Sequence, residues 1–153
     1  MSLRTLALVS GVYDLLLGVS MLTTAPELAR LFGAPAPVPL VNAWLNGVFT
    51  LTLAGGYFWA AGDVSARRGY LWWAGVFAKG LGALVFLVDH FANGSPSTYL
   101  LFVVTDGTLA LLTLGLLRMA PSSPPATRND SGLRSEPDYE AGSASRDRFV
   151  SPR

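Results

Sequence analysis

Three charged side chains lie inside long apolar stretches of this 153-residue chain: Asp14, Lys79 and Asp106. A charged residue at the centre of a membrane-spanning helix costs about 2.5 to 3.5 kcal/mol on insertion scales, so each one needs a compensating partner. At 1.5 Å of rise per residue, all three lie within roughly 5 Å of the middle of their stretches. We therefore expect them to meet in one layer, called here the charged cluster, if their helices face a common centre.

The charged cluster combines two carboxylates with one ammonium group, and these charges sum to −1 when all three groups are ionised. We expect the trio to share a proton and to titrate as a coupled set. Arrangements of this kind serve proton relays, transporter sites and acid–base catalysis. They also serve as structural links between membrane helices. The sequence leaves both interpretations open.

Other polar residues extend the cluster in one direction. Asn42, Asn46 and Thr50 recur at every fourth position and form a polar stripe along one helix face. His90 follows Lys79 by eleven residues, a rotation of about 20° from alignment at 100° per residue, and an aspartate precedes it. The predicted ligand or proton site consists of Asp14, Asn42, Asn46, Lys79, Asp89, His90 and Asp106.

The composition of the chain predicts an integral membrane protein. Hydrophobic residues make up 51% and charged residues only 14%, against roughly 25% charged in soluble domains. A soluble helical bundle is the alternative, but its helices would need polar faces, and these stretches have almost none. The net charge of +1 without a basic cluster argues against a nucleic-acid partner. With no cysteine and one histidine, we expect neither a metal site nor a cofactor.

Four stretches are long enough to cross a bilayer, which takes about 20 apolar residues in a helix. They cover residues 3–22, 38–61, 69–88 and 98–117, and proline, glycine and polar residues separate them. The sequence therefore predicts an all-α, four-helix transmembrane bundle in residues 1–118.

The connections and ends of the chain complete this prediction. Between the first two spans, Pro26 and Gly33 mark the start and stop of a short interfacial helix. The first span could instead be a signal peptide, but Asp14 in its apolar centre favours a retained helix. Residues 119–153 hold five of the ten prolines without apolar periodicity, which predicts a disordered tail.

Arginine residues around the spans predict their orientation, because cytoplasmic flanks carry the excess of positive charge. If the amino terminus lies inside, only Arg30 falls on the outer side. We therefore expect a multi-pass protein of the cell membrane with both termini and the tail in the cytoplasm. The residues on the inner side are Arg4, Arg67, Arg68, Arg118, Arg128 and Arg134.

Several segments, taken together, resemble DoxX-like small bacterial membrane proteins. They are GVYDLLLG in the first span, the short amphipathic connector, NGVFTLTLAGGY, RRGYLWWAGVFAKGLGALVF and DGTLALL, and the resemblance covers about residues 4–118. It implies a four-helix bundle of the bacterial inner membrane. Most such proteins have no assigned activity, and some are linked to quinone-coupled oxidation as accessory subunits. The resemblance carries over no catalytic residue.

The leading functional hypothesis is a non-enzymatic membrane protein that binds a small or lipidic ligand, or a partner membrane subunit, around the charged cluster. One alternative is a proton-coupled carrier or channel built as a homo-oligomer. Another is a lipid-modifying membrane enzyme that uses Asp14 and Asp106 as acid and base.

Overall fold

The computed structural model describes residues 1–120, and every regular element within them is helical. The predicted all-α class is therefore confirmed for this part of the chain. The predictions of a disordered cytoplasmic tail fall almost entirely on residues 121–153, which lie outside the described residues. The helices are α1 (Leu3–Thr23), α2 (Ala25–Leu31), α3 (Val41–Gly62), α4 (Arg68–Asn93) and α5 (Ser97–Met119).

Three of these helices, α1, α4 and α5, are long and apolar enough to cross a membrane. Helix α3 has 22 residues and no charged side chain, so it also has the length. It is not among the three, because its two asparagines, together with its threonine, glycine, tyrosine and tryptophan residues, lower its mean hydropathy. Length and composition thus support three spans directly.

Helix boundaries follow local chemistry. The Ser2 side chain caps α1 by accepting a hydrogen bond from the Thr5 backbone N–H. Helix α2 has a proline in its first turn, as predicted, and the chain leaves it through Gly33 at φ 69°. Gly94 has the same φ and ends α4. Glycine, which has no Cβ atom, adopts this left-handed conformation without strain.

Asp63 forms the turn between α3 and α4. Its Oδ1 atom accepts hydrogen bonds from the Ala66 backbone N–H at 3.1 Å and from the Ser65 hydroxyl at 2.9 Å. These bonds stabilise the carboxylate, so they hold the pKa of Asp63 below its usual range. The turn brings the chain from the end of α3 to the start of α4 within five residues.

Helix α4 is not a uniform α-helix. Residues Leu71–Ala78 form a π-helical segment, and regular α-helix resumes at Lys79. The wider turn changes the rotation per residue, so it changes the direction in which the following side chains point. Ala74, Ala78 and Gly82 recur at every fourth position across this segment, and among them only Ala74 is buried.

Helix α1 packs mainly along α3, and α4 packs mainly along α5. A glycine on each of α1 and α3 allows their close contact, because a Cβ atom on Gly18 would lie 3.0 Å from the Gly47 carbonyl oxygen. A hydrophobic core lies where α1 and α4 begin and α3 and α5 end. It includes Ala7, Tyr57, Ala60, Leu71 and Leu117.

Candidate functional site

Lys79 lies between two carboxylates from two other helices. Its Nζ atom is 2.8 Å from Asp14 Oδ1 on α1 and 3.1 Å from Asp106 Oδ1 on α5. The side chains of Lys79 and Asp14 are 5% and 4% exposed, whereas that of Asp106 is 16% exposed. The structure thus brings together the three residues of the charged cluster, and its two carboxylates have unequal access.

Aromatic rings surround the Lys79 ammonium group. Its Nζ atom lies 4.8 Å from the ring centroid of Tyr13 and 5.8 Å from that of Tyr57. Both distances are within the range of cation–π attraction. Tyr13 is held in place through its hydroxyl, which lies 3.1 Å from Thr105 Oγ1 on α5. The ammonium group is therefore held by opposite charges and by π electrons.

Three buried polar atoms at the cluster have no hydrogen-bond partner among the described residues: Asp14 Oδ2, Ser10 Oγ and Tyr57 Oη. Ser10 lies one helical turn before Asp14 on α1. A buried acceptor without a partner is costly, of order 1 to 3 kcal/mol. Asp14 Oδ2 is therefore a position where a proton or a small donor would be stabilised.

A cavity of about 590 Å³ adjoins the charged cluster. All four long helices line it, as do α2 and the proline-containing connector that follows α2. Most of the lining is apolar, but all three residues of the predicted polar stripe belong to it. Apart from two tyrosines, its charged and polar lining residues are Asp14, Lys79, Asp106, Asn42, Asn46 and Thr50.

An aromatic wall, formed by Phe32, Phe86, Tyr99 and Phe102, lines one side of the cavity. The Phe102 ring is stacked on Phe32 at a centroid distance of 4.8 Å and on Phe86 at 5.0 Å. Phe86 and Tyr99 meet edge to face at 5.6 Å. The Thr98 hydroxyl also donates a hydrogen bond to the Phe32 carbonyl. These contacts hold the end of α2 against α5.

Two of the predicted site residues, Asp89 and His90, do not line the cavity. Asp89 accepts hydrogen bonds from Asn93 Nδ2 at 2.6 Å and from the Ser95 hydroxyl. The His90 Nδ1 atom lies 2.7 Å from the Ser95 carbonyl oxygen. His90 lies eleven residues beyond Lys79, which corresponds to about 16 Å along the helix. Both side chains are bonded to residues at the end of α4 and in the connection to α5.

The seven predicted site residues include no phenylalanine, tyrosine or tryptophan. Some signals were present, since Tyr13 adjoins Asp14 in sequence and Phe102 precedes Asp106 by one helical turn. Phe86 follows Lys79 by seven residues, which is two turns on the same face. Phe32 has no such spacing to a residue of the charged cluster, because it follows a short helix whose position depends on the tertiary fold.

Within residues 1–120, no group of three or more His, Cys, Asp or Glu side chains could hold a metal ion. Comparisons of the chain with known protein families, with curated proteins and with solved structures give no match.

Proposed function

We propose that α3 also crosses the bilayer, so that α1, α3, α4 and α5 form a four-helix transmembrane bundle. Helix α3 is uncharged and packs along α1, one of the three helices apolar enough to span. Large apolar side chains of α3 outside the cavity are exposed, including Leu45 at 62% and Val48 at 54%. Lipid is the environment that such a surface fits.

We further propose that the bundle lies in a bacterial cell membrane with both termini in the cytoplasm. The distribution of arginine around the four spans supports this orientation. Helix α2 would then lie at the outer face of the membrane. The resemblance to DoxX-like proteins is part of the same proposal and leads to the same architecture.

The function that the site supports best is the binding of a small or lipidic molecule, without catalysis. One observation carries this proposal: a largely apolar cavity of about 590 Å³ adjoins the buried Lys79 and its two carboxylates. The volume is within the range of about 300 to 1,000 Å³ that is typical of small-molecule pockets. Apolar walls with a few convergent polar groups are the usual lining of such pockets.

A matched pair of glycine substitutions tests this proposal. A Cβ atom on Gly82, which lines the cavity, would meet only Asp106 Oδ2 at 3.7 Å, so Gly82→Leu can project into the cavity. Gly115 has no atom within 4 Å of such a Cβ atom and lies outside the cavity, so Gly115→Leu is the control.

Both variants and the parent would be purified in nanodiscs, and the molecules they retain would be extracted and quantified by mass spectrometry. We expect the parent and Gly115→Leu to retain the same non-phospholipid amphiphile, and Gly82→Leu to lose most of it. Equal retention by all three proteins, or no retained species, would contradict a binding function of this cavity.

A proton-coupled carrier is a second candidate, favoured by the unpartnered acceptor Asp14 Oδ2 and the neighbouring Ser10 hydroxyl. The hydrophobic core that includes Ala60 and Leu117 lies at the end of the bundle where α1 begins. Because this core is apolar and buried, we expect no polar path through one monomer at that end, so transport would need an oligomer. Proton uptake into liposomes, read with an internal pH dye, tests this candidate.

A further inference from the structure

The charge of the cluster constrains what the cavity binds. Lys79 contributes one positive charge and is already shared by two carboxylates, Asp14 and Asp106, so the cluster carries −1 when all three groups are ionised and becomes neutral only by taking up a proton or a cation. An anionic head group would meet this excess of negative charge in a site where little water screens it. A cationic head group would neutralise it.

From this charge and the cavity lining we infer that the ligand is an amphiphile with a protonated amine head group and an apolar, ring-containing body. This inference rests on the proposed binding function and adds the ligand's chemical class to it.

The Asp106 carboxylate is placed to receive the amine. Lys79 donates to Oδ1 of Asp106, and the 16% exposure of that side chain gives a ligand access to it. Gly82 leaves the space beside Asp106 Oδ2 open, since a Cβ atom there would still be 3.7 Å away. Amine N–H groups are donors that the Asp106 carboxylate can accept from. Asp14 also lines the cavity, but it is buried and its Oδ2 atom has no partner among the described residues, so it contributes negative charge near the amine without being open to it.

The walls of the cavity fit the rest of such a molecule. The stacked rings of Phe32, Phe86 and Phe102 offer aromatic faces and edges to an apolar ring. The Tyr13 ring, 4.8 Å from the Lys79 ammonium group, already lies against a cation at this end of the cavity. A ligand ammonium beside it would gain the same cation–π attraction.

Three probes with the same body separate head-group charge from hydrophobicity: 4-phenylbutylamine, 4-phenylbutan-1-ol and 4-phenylbutyrate. Near pH 7 their head groups are cationic, neutral and anionic. Binding would be measured by calorimetry on the full chain in nanodiscs of zwitterionic lipid, with empty nanodiscs subtracted. We expect the amine to bind about ten-fold more tightly than the alcohol, and the carboxylate to show no saturable binding.

Two aspartate substitutions with the same charge change locate the effect. Asp106→Asn should remove the preference for the amine over the alcohol, whereas Asp89→Asn should keep it, because Asp89 lies outside the cavity. Asp106→Glu keeps the negative charge and should keep the preference for the amine. Loss of that preference in Asp106→Asn would then result from the lost charge and not from misfolding.

The outcomes distinguish this inference from the proposed function. Alcohol or carboxylate binding as tight as amine binding would overturn the inference, and would leave the binding function in place if Gly82→Leu abolishes it. Amine preference that survives in Asp106→Asn would also overturn the inference. Absence of saturable binding for all three probes overturns it as well, and the retained-molecule experiment then decides the binding function separately.

Discussion

Replacing Lys79 with methionine removes the ammonium group of the charged cluster and keeps a side chain of similar length. Two carboxylates, Asp14 and Asp106, then remain beside each other without their shared cation. We expect the bundle to be less stable, because two contacts between helices are lost and a buried charge must be neutralised by protonation.

The size of the effect follows from those two contacts, at 2.8 and 3.1 Å. Polar contacts between membrane helices average about 0.6 kcal/mol and reach about 1.7 kcal/mol. Two of them together give a loss of about 1.2 to 3.4 kcal/mol in the free energy of unfolding. Protonation of the carboxylates keeps the loss below that of an isolated buried charge.

A double-mutant cycle isolates the contact between Lys79 and Asp14. Unfolding free energies would be measured in mixed micelles by titration with sodium dodecyl sulfate for Lys79→Met, Asp14→Asn and the double variant. We expect a coupling of about 0.6 to 1.7 kcal/mol, so Asp14→Asn should cost less when Lys79 is already absent.

The control cycle combines Lys79→Met with Asp89→Asn. Asp89 lies ten residues further along α4, about 15 Å along its axis, and accepts its hydrogen bonds from Asn93 and Ser95. These two substitutions should be additive within about 0.5 kcal/mol. Additivity in the Asp14 cycle as well would mean that Asp14 and Lys79 make no stabilising contact, and the charged cluster would lose its energetic basis.

Three further predictions concern packing, topology and the tail. Gly18→Val should lower the unfolding free energy by about 1 to 3 kcal/mol because its Cβ atom would overlap α3, whereas Gly55→Val, which meets no atom within 4 Å, should change it little. Reporter fusions after Gly62 and Gly94 should report inside and outside respectively, and an external signal after Gly62 would contradict the topology. Truncation after Ala120 should leave the thermal midpoint unchanged, because the proline-rich sequence beyond it has no apolar periodicity, and a lowered midpoint would show that the tail docks.

The helical elements could be predicted from hydropathy and from proline and glycine because their causes are local. The short helix between the first two spans lies where Pro26 and Gly33 indicate. Helix α3 begins at Val41 instead of residue 38, since the prolines just before it lack the N–H that a helix interior needs. Helix α4 continues to Asn93 instead of residue 88, because nothing breaks it before Gly94. Each difference shifts the end of a helix, and no predicted helix is missing from the described residues.

The sequence predicted the part of the site that depends on how far each residue lies along its helix. Asp14, Lys79 and Asp106 share one depth, so spacing alone placed them in one layer. His90 lies on the same helix face as Lys79 but at a different depth in the bundle. Two residues on one face that are far apart along the helix do not contact each other. The aromatic wall depends on where α2 folds back, so Phe32 could not be assigned to it from sequence.

The unequal exposure of the two carboxylates bears on whether the cluster links helices or binds a ligand. Asp14 is nearly inaccessible and holds Lys79 at the shorter distance, so this pair joins α1 to α4. Asp106 holds the same Lys79 at 3.1 Å but keeps 16% of its side chain accessible. A group that is fully packed can stabilise but cannot easily receive a ligand, while a partly accessible one can do both. The two roles are therefore compatible within three residues: the Asp14–Lys79 pair fixes the position of the ammonium group, and that fixed ammonium group orients the carboxylate that faces the cavity.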